Sequence, residues 1–125
     1  MTDHLSAVRE LDEPMRTCIA DAAASQELCL AAVQHCLKTG GEHASAKLIG
    51  ALLDCAQACG TARDFMLRAS KLHPGYCRGC AHACGSCASA CERFADDKVL
   101  QACAEACRQC MQSCRLMGGE DRHRH

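Results

Sequence analysis

The sequence predicts an all-α fold: an antiparallel, up-down-up-down four-helix bundle with a cysteine-lined core. Two observations lead there. Strong helix formers (Ala, Leu, Glu, Gln, Arg, Lys) fill four long segments separated by three short breaks. Cysteine recurs within those segments in alternating steps of three and four residues, the spacing that keeps side chains on one face of a 3.6-residue helix.

The breaks come first. Thr39-Gly40-Gly41 is a helix stop with Gly available for a left-handed cap. At His73-Pro74-Gly75, Pro blocks continuation of a helix. At Ala95-Asp96-Asp97, an Asp is placed to cap the next helix. Gly118-Gly119 ends the last segment. Helices are therefore expected at about 14–38, 44–72, 76–94 and 97–117, with a flexible tail at 118–125. Pro14 opens the first main helix and leaves residues 4–12 for a short extra N-terminal helix. Connections this short favour antiparallel neighbours within one domain. Gly50 and Gly60, inside the second helix, mark places for close helix contact.

The chain has 125 residues, enough for one domain with a core, yet no Trp, one Tyr and two Phe. Ala, Leu and Cys must therefore do the packing. A net charge of −1 gives no support for a nucleic-acid partner. No apolar run is long enough for a membrane span. The first residues, MTDHLSAVRELDEP, do not resemble a secretory leader, so a cytoplasmic location is expected. Fourteen cysteines in a reducing compartment point to metal rather than to disulfides.

The third segment places Cys77, Cys80, Cys84, Cys87 and Cys91 on one seam. The fourth does the same with Cys103, Cys107, Cys110 and Cys114. In the first segment the seam runs Val8, Leu11, Met15, Cys18, Ala22, Ser25, Cys29, Ala32, Cys36. In the second it runs Leu48, Leu52, Cys55, Cys59, Ala62, Met66, Ala69, His73. Folding the last two helices together sets Cys77 near Cys114, Cys80 near Cys110, Cys84 near Cys107 and Cys87 near Cys103. The first two helices set Cys29 near Cys55. A column of sulfur along the bundle axis follows.

Thiolate is a soft ligand that selects Cu(I), Zn(II) or iron–sulfur clusters. Each metal-bound thiol loses its proton, so charge discriminates among them. One Cu(I) per thiolate leaves a neutral core. Zn(II) on four thiolates leaves two negative charges per site, costly inside a closed bundle with few basic residues on its seams. Zinc ribbons place Cys-X-X-Cys at turns, whereas Cys77/Cys80, Cys84/Cys87 and Cys107/Cys110 sit within helical runs. Ferredoxin spacing is also missing. Cys also packs as a small hydrophobe, so a metal-free core of protonated thiols should already fold.

Met15, Met66, Met117 and His73 fall toward one end of the predicted bundle, and Leu48, Leu52, Phe94 and Leu100 toward the other. A thioether and imidazole end opposite an aliphatic plug suggests a one-way entrance for copper. His82 points outward and His35 lies beside the seam, both as surface or subunit-contact residues. The tail histidines His123 and His125 lie in a solvated end. No nucleophile–base pair and no phosphate loop is present, so no enzymatic activity is expected.

The runs CRGCAHACGSCASAC and CAEACRQCMQSC, following a CAQAC segment, resemble the bacterial four-helix-bundle copper-storage proteins, and the absence of a leader resembles their cytosolic branch. The resemblance spans about Cys18 to Met117. It implies multiple Cu(I) ions bound by the fourteen Cys thiolates, about one per Cys, in a homotetramer of bundles that stores or sequesters copper. Ala22, Ser25, Ala32, Ala62 and Ala69 depart from a full set of ligands and imply a smaller capacity or copper gathered beside the last two helices. A copper chaperone, and a zinc or redox Cys-rich helical protein, are the alternatives.

Overall fold

The computed structural model describes residues 10–119. Val8, the short N-terminal helix expected over residues 4–12 (apart from residues 10–12) and the histidines of the tail lie outside the described residues. Four helices follow in order: α1 Glu13–Thr39, α2 Ala46–Leu67, α3 His73–Glu92 and α4 Lys98–Gly118. Each packs against its chain neighbours, and α1 also packs against α4, which closes the ring of an antiparallel bundle.

Local chemistry explains each start. The Asp12 side chain accepts a hydrogen bond from Met15 N (2.9 Å), with Pro14 in the first turn. Ser45 accepts from Leu48 N at 3.2 Å and Asp97 Oδ1 from Leu100 N at 3.0 Å. Between α1 and α2, Gly40 and Gly41 take φ of 76° and 60°, a conformation in which a Cβ is strained. A 3-10 turn, Gly41–Ala44, fills the break, and α2 starts at Ala46, two residues after the predicted start at about 44.

The second break departs most from expectation. α2 stops at Leu67, five residues before the predicted end, because Arg68 closes the last turn and Ala69 turns to φ 50°. Ala69 and His73 therefore do not extend the α2 seam. His73 instead opens α3, three residues earlier than predicted. Pro74 belongs to the first turn of α3, where a missing N–H costs no hydrogen bond, so it starts a helix rather than merely ending one.

Two glycines differ in their surroundings. A Cβ at Gly60 would meet the Gln26 side chain, whose Nε2 donates to Ala56 O at 3.1 Å, so Gly60 does sit at a close α1–α2 contact. Gly50 faces open space and makes no close helix contact. At Gly118, a Cβ would strike Arg78 Cγ; Arg78 Nη1 donates to Gly118 O at 2.7 Å and ties α3 to the end of α4.

Candidate metal centre

All fourteen cysteines are buried without disulfides. They share the core with Ala22, Ala32 and Ala62, and with Leu48, Leu52 and Leu100. The seam phase read from the sequence is thus the phase that faces inward, from Cys18 on α1 to Cys114 on α4.

Four sets of sulfurs lie within 4.8 Å of one another: Cys18, Cys77 and Cys114; Cys59, Cys80, Cys84 and Cys110; Cys29, Cys55, Cys87 and Cys107; and Cys87, Cys91 and Cys103. Short steps join them. Cys110 Sγ is 3.8 Å from Cys114 Sγ, Cys55 is 3.6 Å from Cys84, and Cys29 is 3.6 Å from Cys103. Sulfur therefore runs without a break from the Met end toward the Leu end. Cys36 belongs to none of the four sets. It is the last cysteine of α1, toward the Leu end, and is held above the ordinary thiol range by burial, with Asp97 and Cys91 adding to the rise.

The predicted pairings of Cys77 with Cys114, Cys80 with Cys110, Cys87 with Cys103 and Cys29 with Cys55 each fall within one set. The pairing of Cys84 with Cys107 does not. Both approach Cys55 instead, at 3.6 and 3.7 Å, because α2 inserts its thiol between the two helices that a planar hairpin would put face to face.

The clusters tune their own acidity. A thiolate inside a cluster accepts S–H bonds from its neighbours, and this opposes the cost of burying its charge. Hydrogen bonding from Cys114, then from Cys77, lowers Cys18 to about 4. Cys103, then Cys29, lowers Cys107 to about 4. Cys103 lowers Cys91, and Cys110 lowers Cys59, each to about 5. The donors are correspondingly raised: Cys114 and Cys110 sit above the ordinary thiol range. The two three-thiol sets thus hold one thiol each ready to be a thiolate, Cys18 and Cys91, and the two four-thiol sets hold two each, Cys59 with Cys80 and Cys55 with Cys107, beside others that keep their protons until a metal displaces them.

At the Met end, Met15 and Met66 are buried and Met117 is partly buried. His73 Nδ1 lies 2.8 Å from Ser70 O. A carbonyl only accepts, so Nδ1 carries the proton of that hydrogen bond and Nε2 is the ring nitrogen a metal would take in the neutral imidazole. His73 also contributes to lowering Cys18. Among the described residues, however, no His, Asp or Glu joins the four close sets, His73 included. At the opposite end a feature emerges that spacing did not announce. His35 Nε2 and His43 Nε2 approach Asp97 Oδ2 at 2.7 and 3.1 Å, and His43 packs on Phe94 with ring centroids 4.4 Å apart. His35 is therefore an internal tie between α1 and the start of α4. His82 is exposed, as the sequence indicates.

A helical bundle with an unbroken buried thiol column is a scaffold for thiophilic metal ions. The chain belongs to the copper storage protein family, which it matches over residues 11–119. It is similar in structure to the Nmul_A1745 protein from Nitrosospira multiformis, at 33% identity and a TM-score of 0.79 over 86% of this chain and 96% of that one. It is also similar to BsCsp3, a copper storage protein solved with Cu(I) bound, at 28% identity and a TM-score of 0.79 over 85% of this chain and 99% of that one. No curated protein matches the sequence. The chain is thus a copper storage protein whose many core cysteines are clustered as candidate ligands. Among the described residues, no helix is long and apolar enough to cross a membrane.

Proposed function

We propose that this protein stores Cu(I) on its own fourteen cysteines, at about one ion per Cys, as a cytoplasmic homotetramer with no catalytic role. The whole chain acts as one domain. The observation that carries this reading is the continuous run of buried sulfur, because soft thiolates at this density suit a soft monovalent ion. Copper enters at the Met end. There Met15, Met66 and Met117 offer thioethers, His73 Nε2 offers an imidazole, and Cys18 offers the first low-pKa thiolate. The Leu end remains closed behind Leu48, Leu52 and Leu100.

One observation favours a second metal. Two of the sets have four thiols each, the number a structural Zn(II) takes. Charge argues against filling them with zinc, since each would leave two uncompensated negative charges in a buried core.

Native mass spectrometry of the reduced protein, loaded anaerobically with Cu(I) in the presence of equimolar Zn(II), reads metal and assembly together. A tetramer carrying ten or more copper ions per chain (roughly the number of thiols, at neutral balance) is the expected result. Two zinc ions per chain and little copper would replace this reading with the zinc one.

A further inference from the structure

The core contains one buried polar residue among those described, Ser25, and it sits in the sulfur column. Its Oγ is 3.6 Å from Cys55 Sγ and 3.5 Å from Cys107 Sγ, and these two sulfurs are 3.7 Å apart. The three atoms form a nearly equilateral triangle. A point equidistant from them lies about 2.1 Å from each, close to the metal–oxygen and metal–thiolate distances of a first-row ion of this size. A serine within a helix commonly turns its hydroxyl back to a carbonyl of the preceding turn, as Ser113 does here toward Gln109 O at 3.4 Å and Cys110 O at 3.2 Å. Ser25 has two sulfurs as its partners instead.

We propose that Ser25 is a copper ligand: its hydroxyl oxygen completes a three-coordinate Cu(I) site with the thiolates of Cys55 and Cys107. The inference rests on the storage reading above and goes beyond it by adding an oxygen donor to the sulfur set. On binding, Cys55 and Cys107, as thiolates, each give a lone pair to the ion. The serine stays a neutral hydroxyl and gives a lone pair without a proton loss. That neutrality has a physical rationale. A third thiolate in this triangle would add another negative charge at the middle of the bundle, far from water, whereas a hydroxyl adds none. The other inward positions without sulfur, Ala22, Ala32 and Ala62, are equally buried but carry no donor atom, so Ser25 is the one of these four able to ligate. A hydroxyl is a harder donor than thiolate, so this site binds more weakly than its neighbours and gives up its ion first.

The test compares wild type, Ser25→Ala and Ser25→Cys by anaerobic Cu(I) competition titration, together with the crystal structure of the copper-loaded wild type. Wild-type uptake of many ions is the control for the storage reading; its failure would remove that reading independently of the variants. Given that uptake, Ser25→Ala should bind one copper per chain at least tenfold more weakly and leave the others unchanged. Ser25→Cys should hold that ion at least as tightly as wild type. The loaded structure should place copper within bonding distance of Ser25 Oγ. Identical titrations for wild type and Ser25→Ala, or a loaded structure with copper on Cys55 and Cys107 but none within bonding distance of the hydroxyl, would overturn the assignment.

Discussion

The two hairpins of the bundle contribute unequally and do different things. α3 and α4 carry nine of the fourteen cysteines, in two unbroken seams; α1 and α2 carry five, interrupted by Ala22, Ser25, Ala32 and Ala62. The α3–α4 hairpin nevertheless completes only one close set alone, Cys87 with Cys91 and Cys103. The other three each need Cys18, Cys59, or Cys29 with Cys55 from the poorer hairpin. Ligand density on one pair of helices thus supplies capacity, and a few thiols on the facing pair close the sites. Counting cysteines per helix says little about where a site is complete; the layer at which four helices meet decides it.

The largest effect expected from breaking this division comes from the rich hairpin. Cys80, Cys84, Cys107 and Cys110 span the two four-thiol sets, so replacing all four with Ala should remove several coppers while circular dichroism still reports a helical bundle. Unchanged capacity would refute the axial column. The next effect comes from the poor hairpin: Cys55→Ala touches one residue but opens the set it shares with Cys29, Cys87 and Cys107, and also removes the 3.6 Å step to Cys84. It should cost more than one copper. A loss of one ion or none would mean that α1 and α2 serve only as packing.

Acidity sharpens the same comparison. Copper displaces the protons of raised thiols such as Cys114 and Cys110, and affinity then falls about tenfold per pH unit for each proton displaced. Thiols held low, such as Cys18 at about 4, remain thiolate down to that pH and contribute no such slope above it. Affinity measured from pH 8 down to pH 6 should therefore fall steadily, and a flat profile would contradict the donor–acceptor pattern in the clusters.

Asp97 links the hairpins at the Leu end, since it caps α4 and accepts from His35 of α1 and His43 of the 3-10 turn. Burial disfavours its ionisation, but the hydrogen bonds from His35, Leu100 N and His43 outweigh that and hold its carboxyl below the ordinary range. Loss of the cap in Asp97→Ala should destabilise the fold by about 1–2 kcal/mol, read as a lower melting temperature with copper capacity intact. The smallest copper effect is expected for Cys36→Ala, because Cys36 lies outside every close set. A loss larger than one ion there would move the column into the Leu end.

The sequence made the fold and the inward phase legible because periodicity is a local property: steps of three and four residues fix a face whatever that face meets. It also placed an Asp cap at Asp96-Asp97 and a Gly stop at Gly40-Gly41, where the residue type is nearly diagnostic, and the structure uses Asp97 and Gly40. It paired four of the five predicted thiol couples correctly but did not reveal the full membership of each site. That depends on helix rotation and axial offset, so Cys84 and Cys107 looked like partners while Cys55 in fact lies between them. The end of α2 was misjudged because nothing in Arg68-Ala69-Ser70 is a strong breaker; Ala69 takes a positive φ under the demands of the turn. The histidine–aspartate tie was hidden for a related reason. His35, His43 and Asp97 are far apart in sequence, and only closure of the bundle brings them together.

The most direct test of the central claim is an anaerobic Cu(I) titration of the reduced protein against a coloured competing chelator, with circular dichroism on the same samples. The thiol column predicts tight uptake of many ions, near one per cysteine, by a protein already helical before copper is added. Saturation at one or two ions, or helicity that appears only with copper, would contradict it.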